Sequence, residues 1–318
     1  MDQVGIDDVR AAGERVAGRV VRTPLLPYQG GGHAWLKPEN LQPTGAFKLR
    51  GALNAMGALA AANMAGRGVV AYSSGNHGRA VAWAARAYGV PAVVVMQDDS
   101  PAVKVDAVAA LGAEVVLAPA PERESRAEAL REERGLALVP PFDHPDVIAG
   151  QGTVGLEIVE ELPDVGTVLV PVSGGGLIAG IAVAVKTLRP EARVVAVEPE
   201  LAGDLAEGLA AGRRVRWDYG RTGRTVADGL RAPAVGELTW AHIERLVDDA
   251  VTVGEDAILA AMADLARSAR VVAEPSGAVA TAALFTMPEI AVRRTVAVVS
   301  GGNVDPVLLA DVLRSHAA

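Results

Sequence analysis

A lysine that does covalent chemistry must sit where its ammonium is poorly hydrated, and the sequence puts Lys48 in such a stretch. It lies in Glu39-Asn40-Leu41-Gln42-Pro43-Thr44-Gly45-Ala46-Phe47-Lys48-Leu49-Arg50-Gly51-Ala52, where a loop turns into a helix. Phe47 precedes it and small residues crowd around it. Burial beside apolar groups lowers an amine's pKa, and the free amine is a nucleophile able to form a Schiff base. The alternative is a solvated lysine on a first helical turn, so the rest of the chain has to decide.

Three glycine loops bear on that choice. Ser73-Ser74-Gly75-Asn76-His77-Gly78 follows an apolar run and precedes a helical pattern. Its glycines let the backbone approach a ligand, and helix-start N–H groups bind anions such as a carboxylate. Ser74 and Asn76 add a hydroxyl and an amide; an ordinary polar turn capping a helix is the alternative. In Val172-Ser173-Gly174-Gly175-Gly176-Leu177, successive N–H groups can form a concave anion site. The loop has neither a triphosphate-binding Gly-x-x-x-x-Gly-Lys nor a good dinucleotide Gly-x-Gly-x-x-Gly pattern, so a monophosphate fits better than ATP or NAD. The third loop is Val299-Ser300-Gly301-Gly302-Asn303. All three fall at the carboxyl ends of expected parallel strands, where open α/β sheets bind ligands, and with Lys48 they point to one shared pocket.

The elements that must position these loops alternate along the chain. Asp7 to Val20 reads as an amphipathic helix, His33 to Lys37 as a short strand, and a helix runs from Lys48 to about Ala62. Strands at Val69–Tyr72, Ala92–Met96, Glu114–Leu117 and Ala137–Val139 alternate with helices at Gly78–Tyr88, Ser100–Leu111 and Glu122–Arg134. Ser100 reads as an N-cap with Pro101 at the first helical position. After a helix over Asp146–Glu161, Val-rich strands at Val168–Val172, Val194–Glu198 and Thr295–Ser300 suit parallel strands covered on both faces. Further helices are expected over Leu177–Leu188, Glu255–Ser268 and Glu274–Phe285, and a long loop over Gly212–Ala234. The pattern predicts an α/β chain with two mostly parallel sheets, one from residues 69–139 and one from 168–300, and the Lys48 helix near their junction. One large sheet is the alternative.

Composition narrows the class. Half of the 318 residues are hydrophobic but only 3% are aromatic, so the core must be built from Ala, Val and Leu. A formal charge of -8 argues against a nucleic-acid partner, and the lack of cysteine rules out disulfides and thiolate chemistry. No secretory pattern opens the sequence and no apolar run is long enough to span a bilayer, so a cytoplasmic protein is expected.

The ordered set of motifs resembles one family: the pyridoxal phosphate enzymes of the threonine/serine dehydratase and serine racemase group. The resemblance rests on Lys37-Pro38-Glu39-Asn40, Thr44 to Ala52, Ser73 to Gly78, Ala149-Gly150-Gln151-Gly152-Thr153, Ser173 to Leu177, Glu274-Pro275-Ser276-Gly277-Ala278 and Ser300 to Asn303. It implies a two-domain fold type II (tryptophan synthase β-like) enzyme, each domain a mostly parallel sheet flanked by helices. Residues 1–52 and 146–318 would form the large cofactor-binding domain, and 53–145 a small mobile domain that closes over the substrate. It also implies that Lys48 carries the cofactor as a Schiff base and removes the substrate α-proton. Phe47 would pack on the ring, Asn76 would bond its phenolic oxygen, and Ser173, Gly174, Gly175, Gly176 and Leu177 would hold the phosphate through backbone N–H groups. Ser300 would partner the pyridine nitrogen, Gly229 and Glu274 would line the ring, and Ser73, Ser74, Gly75, Asn76 and His77 would bind the substrate carboxylate.

Two features set apart branches of the group. Many dehydratases resemble this loop but carry alanine at position 74, whereas racemases carry serine, so a Ser74 hydroxyl opposite Lys48 could serve the other face of the α-carbon. A serine that only caps the next helix is the alternative. Glu198 and Asp204, with the Ala202 carbonyl between them, could bind Mg2+ or Ca2+, as a similar loop does in the racemase branch; a solvated acidic loop is the alternative. Ser173 departs from the four-glycine run of relatives, and the sequence stops at Ala318 without the regulatory domain of biosynthetic threonine dehydratases. The expected activity is conversion of a β-hydroxy amino acid, L-threonine or L-serine first, to a 2-keto acid and ammonia. A serine racemase with dehydratase side activity is the nearest rival, followed by a dehydratase for a bulkier substrate such as 3-hydroxyaspartate or phenylserine. A β-replacement synthase and a non-catalytic amino-acid-binding protein lie further off. The resemblance also implies a homodimer.

Overall fold

The computed structural model describes residues 3–29, 34–64, 66–291 and 294–316. The chain opens with α1 (Ile6–Val16), β1 (Leu26–Tyr28), β2 (Ala34–Pro38) and α2 (Lys48–Ala61). It continues through β3 (Val69–Tyr72), α3 (Asn76–Tyr88), β4 (Ala92–Gln97), α4 (Ala102–Ala109), β5 (Glu114–Ala118), α5 (Arg123–Arg134) and β6 (Ala137–Leu138). Then come α6 (Pro145–Glu161), β7 (Thr167–Pro171), α7 (Gly176–Leu188), β8 (Arg193–Pro199), α8 (Asp204–Ala211), the single turn α9 (Tyr219–Thr222) and α10 (Glu237–Leu246). The last elements are β9 (Asp249–Val253), α11 (Glu255–Asp264), α12 (Pro275–Thr286), β10 (Thr295–Val299) and α13 (Pro306–Ser315).

Ten strands form two separate sheets among the described residues, so the single-sheet alternative falls. One has six strands in the order β1-β2-β10-β7-β8-β9, parallel except for the β1–β2 pair. The other has four parallel strands in the order β5-β4-β3-β6. Every residue of β7 and β10 is buried, as continuous Val-rich runs require when helices cover both faces. With so few aromatics the core depends on close backbone packing. A Cβ added to Gly180 on α7 would meet the Ile148 carbonyl of α6 at 2.3 Å.

Helix α2 belongs to both halves. Leu49, Leu53 and Met56 are buried among Val69, Val81, Val94 and Met96 of the four-stranded unit. Its first turn, by contrast, is bonded to the six-stranded body, with Phe47 N donating to Ser300 O at 3.0 Å. Lys48 therefore stands at the junction, as the sequence predicts.

Some expectations need correction. Pro101, with φ -54° and ψ 136°, is the N-cap of α4 rather than its first helical residue, and the Ser100 hydroxyl is buried without a partner among the described residues. Helix α1 stops at Val16, four residues early, ahead of a left-handed Gly18. Helix α11 passes at Asp264 into a π-turn over Leu265–Ala269. The loop at 212–234 holds α9 and a 3-10 turn at Asp228–Leu230. Of the expected strand over 33–37, His33 lies outside the described residues. The sequence reading did not anticipate β1, α8, α10 or β9.

Candidate active site

Lys48 is the first residue of α2, half-buried between the two sheets, and its Nζ donates to the Pro141 carbonyl at 2.7 Å. Its ammonium lies 5.1 Å from the centre of the Phe47 ring. Burial lowers its pKa to about 8, with no carboxylate nearby to hold the proton. At pH 7 about a tenth is thus free amine, far more than an ordinary lysine offers. The surface-lysine alternative does not survive.

The serine–asparagine loop lies between β3 and α3. His77 is buried, bonds the Val139 carbonyl through Nε2 at 2.9 Å, and is pushed down to about 3 by burial and by Lys48, so it is neutral. Ser73 Oγ accepts from Gly75 N at 3.1 Å, while Gly75 itself is exposed. Ser74 Oγ accepts from the backbone N–H of Gln97 at 2.7 Å, so it ties the loop to the end of β4 instead of capping α3. Asn76 has both ends engaged: Nδ2 donates to Glu274 Oε1 at 2.5 Å, and Oδ1 accepts from Asn303 Nδ2 at 2.7 Å. Burial first, then the charge of Asp228, pushes Glu274 up to about 7, against the opposing pull of Asn76 and Lys104.

The third loop joins the set from the other side. Ser300 is buried; its Oγ donates to Ser276 O at 3.3 Å and its carbonyl takes Phe47 N–H. Ser276 Oγ in turn accepts from Gly229 N at 2.9 Å. A Cβ at 301 would sit 2.1 Å from Glu274 Oε1, so any larger residue there would displace that carboxyl. Phe47, Asn76, Gly229, Glu274 and Ser300 are therefore one connected group.

Between β7 and α7 lies the glycine cradle. Among the described residues no acceptor serves the backbone N–H groups of Ser173, Gly174, Gly175, Gly176 or Leu177. Gly175 adopts φ +87° as N-cap of α7, with no side chain filling the place of the missing acceptor. The loop is braced from behind: Gly174 O accepts from Thr239 Oγ1 at 2.8 Å and from Gly236 N at 3.2 Å. Phe142 lies against it so closely that a Cβ on Gly174 would come within 2.1 Å of the ring. Ser173 Oγ accepts from Ala232 N at 3.0 Å, so the serine that departs from the glycine run pins the 212–234 segment. Unserved N–H groups at a helix start fit a phosphate, and a desolvated amine fits an aldehyde. The residues suit pyridoxal phosphate on both counts.

Glu198 at the end of β8, Ala202 in the turn after it and Asp204 at the start of α8 lie apart from these loops. Both Glu198 oxygens accept backbone N–H groups of α8, from Leu205 at 3.1 Å and Ala206 at 2.8 Å. Burial, then Asp204, raises Glu198 well above its ordinary value; burial, then Glu207, raises Asp204 to about 7. Asp204 Oδ2 is buried and has no partner among the described residues. Both carboxylates are buried, so the solvated-loop alternative does not hold.

Sequence reasoning gave no role to Pro141, Phe142, Thr239 or Ser276. Phe142 is one of only three phenylalanines and follows two prolines, which was the available signal; nothing local marked Thr239.

Comparison with known proteins fits this site. The family described as pyridoxal-phosphate dependent enzyme matches residues 16–301, and the chain belongs to it. More narrowly, it is 42% identical over 310 residues to the L-threonine ammonia-lyase of Thermotoga maritima, covering 95% of this chain and 76% of that protein. It is 40% identical over 306 residues to the L-threo-3-hydroxyaspartate ammonia-lyase of Saccharomyces cerevisiae, covering 94% and 93%. The structure of maize serine racemase superposes with a TM-score of 0.91 at 38% identity, covering 99% of this chain and 98% of that one. The fold is that of the type II pyridoxal phosphate enzymes, as the sequence predicted.

Proposed function

We propose that this chain is an ammonia-lyase that converts a β-hydroxy amino acid, L-threonine or L-serine first, to a 2-keto acid and ammonia. The observation that carries the reading is the desolvated Lys48 amine next to an unserved N–H cradle. Relatives named for threonine and hydroxyaspartate deamination support it. In this reading Ser173 to Leu177 hold the cofactor phosphate, Phe47 packs on its ring, Asn76 bonds its phenolic oxygen, and Gly229 and Glu274 line it. Ser300 offers the ring nitrogen a hydroxyl, which lacks the charge needed to keep that nitrogen protonated. When bound, pyridoxal phosphate supplies an electron sink for negative charge at the substrate α-carbon.

The chain's own groups do the rest. The Ser73 to His77 loop takes the substrate carboxylate through the N–H groups of Ser74, Asn76 and His77, since Ser73 N is bonded to Val95 O and Gly75 N to Ser73 Oγ. Lys48 Nζ removes the α-proton, and a base near pKa 8 is suited to that at neutral pH. Loss of the β-hydroxyl as water leaves an enamine, whose hydrolysis yields the keto acid and ammonia. Residues 1–52 and 146–318 act as the cofactor-binding domain and 53–145 as the unit that closes, a division supported by the two sheets. A homodimer completes the reading.

Ser74 favours a second reading. Its Oγ accepts from Gln97 N, which leaves its own proton to give. Racemisation of serine is then possible beside elimination. A divalent cation on Glu198, the Ala202 carbonyl and Asp204 is also proposed, because two buried carboxylates and an orphaned oxygen call for positive charge.

The test is to incubate the purified protein with L-threonine, L-serine, L-threo-3-hydroxyaspartate and phenylserine, and to measure keto acid, ammonia and D-serine. The expected result is keto acid from at least one substrate, abolished in Lys48→Ala. No keto acid from any of them would overturn the reading.

A further inference from the structure

Two residues after Lys48, and about 200° round the helix from it, Arg50 lies fully buried. Its Nε and one terminal nitrogen grip Glu39 at 2.7 and 2.8 Å. Its terminal nitrogens also reach Glu157 on α6 at 2.7 and 2.9 Å, Thr153 Oγ1 at 3.1 Å and Val21 O at 3.2 Å. A second ring closes the cluster. Lys37 Nζ bonds Glu157 and Thr23 O, both at 2.6 Å, Thr23 Oγ1 donates to Glu39 Oε1 at 2.7 Å, and Gln42 Nε2 donates to Glu39 Oε2 at 3.1 Å.

Every one of these anchors belongs to the six-stranded body or the segments leading into it. On another face of α2, Leu49, Leu53 and Met56 pack with the four-stranded unit, while Asn54 Nδ2 keeps one further bond to Asp146 O of α6 at 2.7 Å. Two cations and two anions have thus been buried at the one turn where the helix passes from one half to the other. Apolar packing there would be at least as stabilising, but it fixes direction poorly, whereas paired forks on two carboxylates fix both position and angle.

We propose that Arg50 is a positioning residue for Lys48, clamping the first turn of α2 to the six-stranded body so that the amine keeps its place while the rest of the helix follows the four-stranded unit. The proposal rests on the reading of Lys48 as the reacting base.

The test uses Arg50→Lys, which keeps the charge and loses the fork, beside Ile158→Val, a volume loss at a buried α6 position outside the cluster. Arg50→Lys should bind pyridoxal phosphate and turn over L-threonine or L-serine with kcat down about tenfold or more and KM within about twofold, as misplacement of a reacting group requires. In the cofactor-free protein, competitive acetylation of Lys48 read by mass spectrometry should show its titration midpoint raised by roughly one unit as the amine meets more water. Ile158→Val should lower the melting temperature and change neither quantity. Wild-type kcat and Lys48 midpoint in Arg50→Lys would overturn the proposal, as would a kcat loss in Ile158→Val that simply tracks its melting temperature. Activity surviving in Lys48→Ala would instead remove the reading beneath it.

Discussion

Glu274→Gln should make the cofactor-free protein more stable, and by an amount that depends on pH. In the folded chain burial pushes this carboxyl from 4.5 to about 7, although Asn76 donates to it. The sign follows from linkage. Because the folded pKa is the higher one, the folded state keeps a proton that the unfolded chain releases between roughly 4.5 and 7, so stability falls across that window and levels off above it. The favourable contribution is complete at acid pH and lost as pH rises through about 7. Moving the carboxyl from 4.5 to about 7 corresponds to about 3 kcal/mol at pH 8 and about half of that at pH 5.5. The carboxyl is almost wholly enclosed, so solvent screening takes little from these figures. Glutamine keeps an oxygen for Asn76 Nδ2 and never ionises, so it escapes the cost. Urea unfolding at pH 5.5 and pH 8 measures both proteins, and the variant's advantage should grow by about 2 kcal/mol between the two. An advantage equal at both pH values, or none at all, would refute the reasoning.

Further predictions concern the cradle, the loop and the acidic pair. Gly174→Ala drives a methyl into the Phe142 ring; overpacking of this kind costs about 1–3 kcal/mol, so where that strain falls on the cradle, titration with pyridoxal phosphate should show affinity at least about fivefold weaker, and wild-type affinity would count against the cradle. Ser74→Ala should abolish D-serine formation while sparing keto acid from the L-enantiomer; equal loss of both would show that the serine merely tethers the loop to Gln97. Mg2+ or Ca2+ should raise the melting temperature more at pH 8 than at pH 6, since Asp204, pushed up to about 7 by burial, holds a proton in the lower range. The same curve with and without a chelator would remove the cation from the proposal.

What the sequence disclosed follows a physical divide. Lys48 and the three glycine loops were legible because each is local: an apolar run, a glycine turn, then a helix start. The ties among them were not, because their donors and acceptors come from distant segments. Helix α10 was missed, although Thr239 on it braces the cradle, because its first turn is capped by Asp143, 94 residues away along the chain at 3.0 Å from Glu237 N. Ser74 resembled a helix cap, yet its hydroxyl serves Gln97 on the neighbouring strand. Ser100 beside Pro101 resembled a helix start, yet the chain turns one residue later.

Lys48 and Arg50 show the divide within a single turn. Both are basic, and one-dimensional pattern gives no reason to treat them differently. Arg50 finds two carboxylates behind the helix, which push its pKa up against the cost of burial, so it stays charged. Lys48 finds the Pro141 carbonyl and the Phe47 ring but no carboxylate among the described residues, and burial pushes its pKa down. A nearby carboxylate would have held the proton on Lys48 and made it as inert as its neighbour. The same α2 turn thus separates a structural cation from a reactive amine by placing Glu39 and Glu157 on one face only.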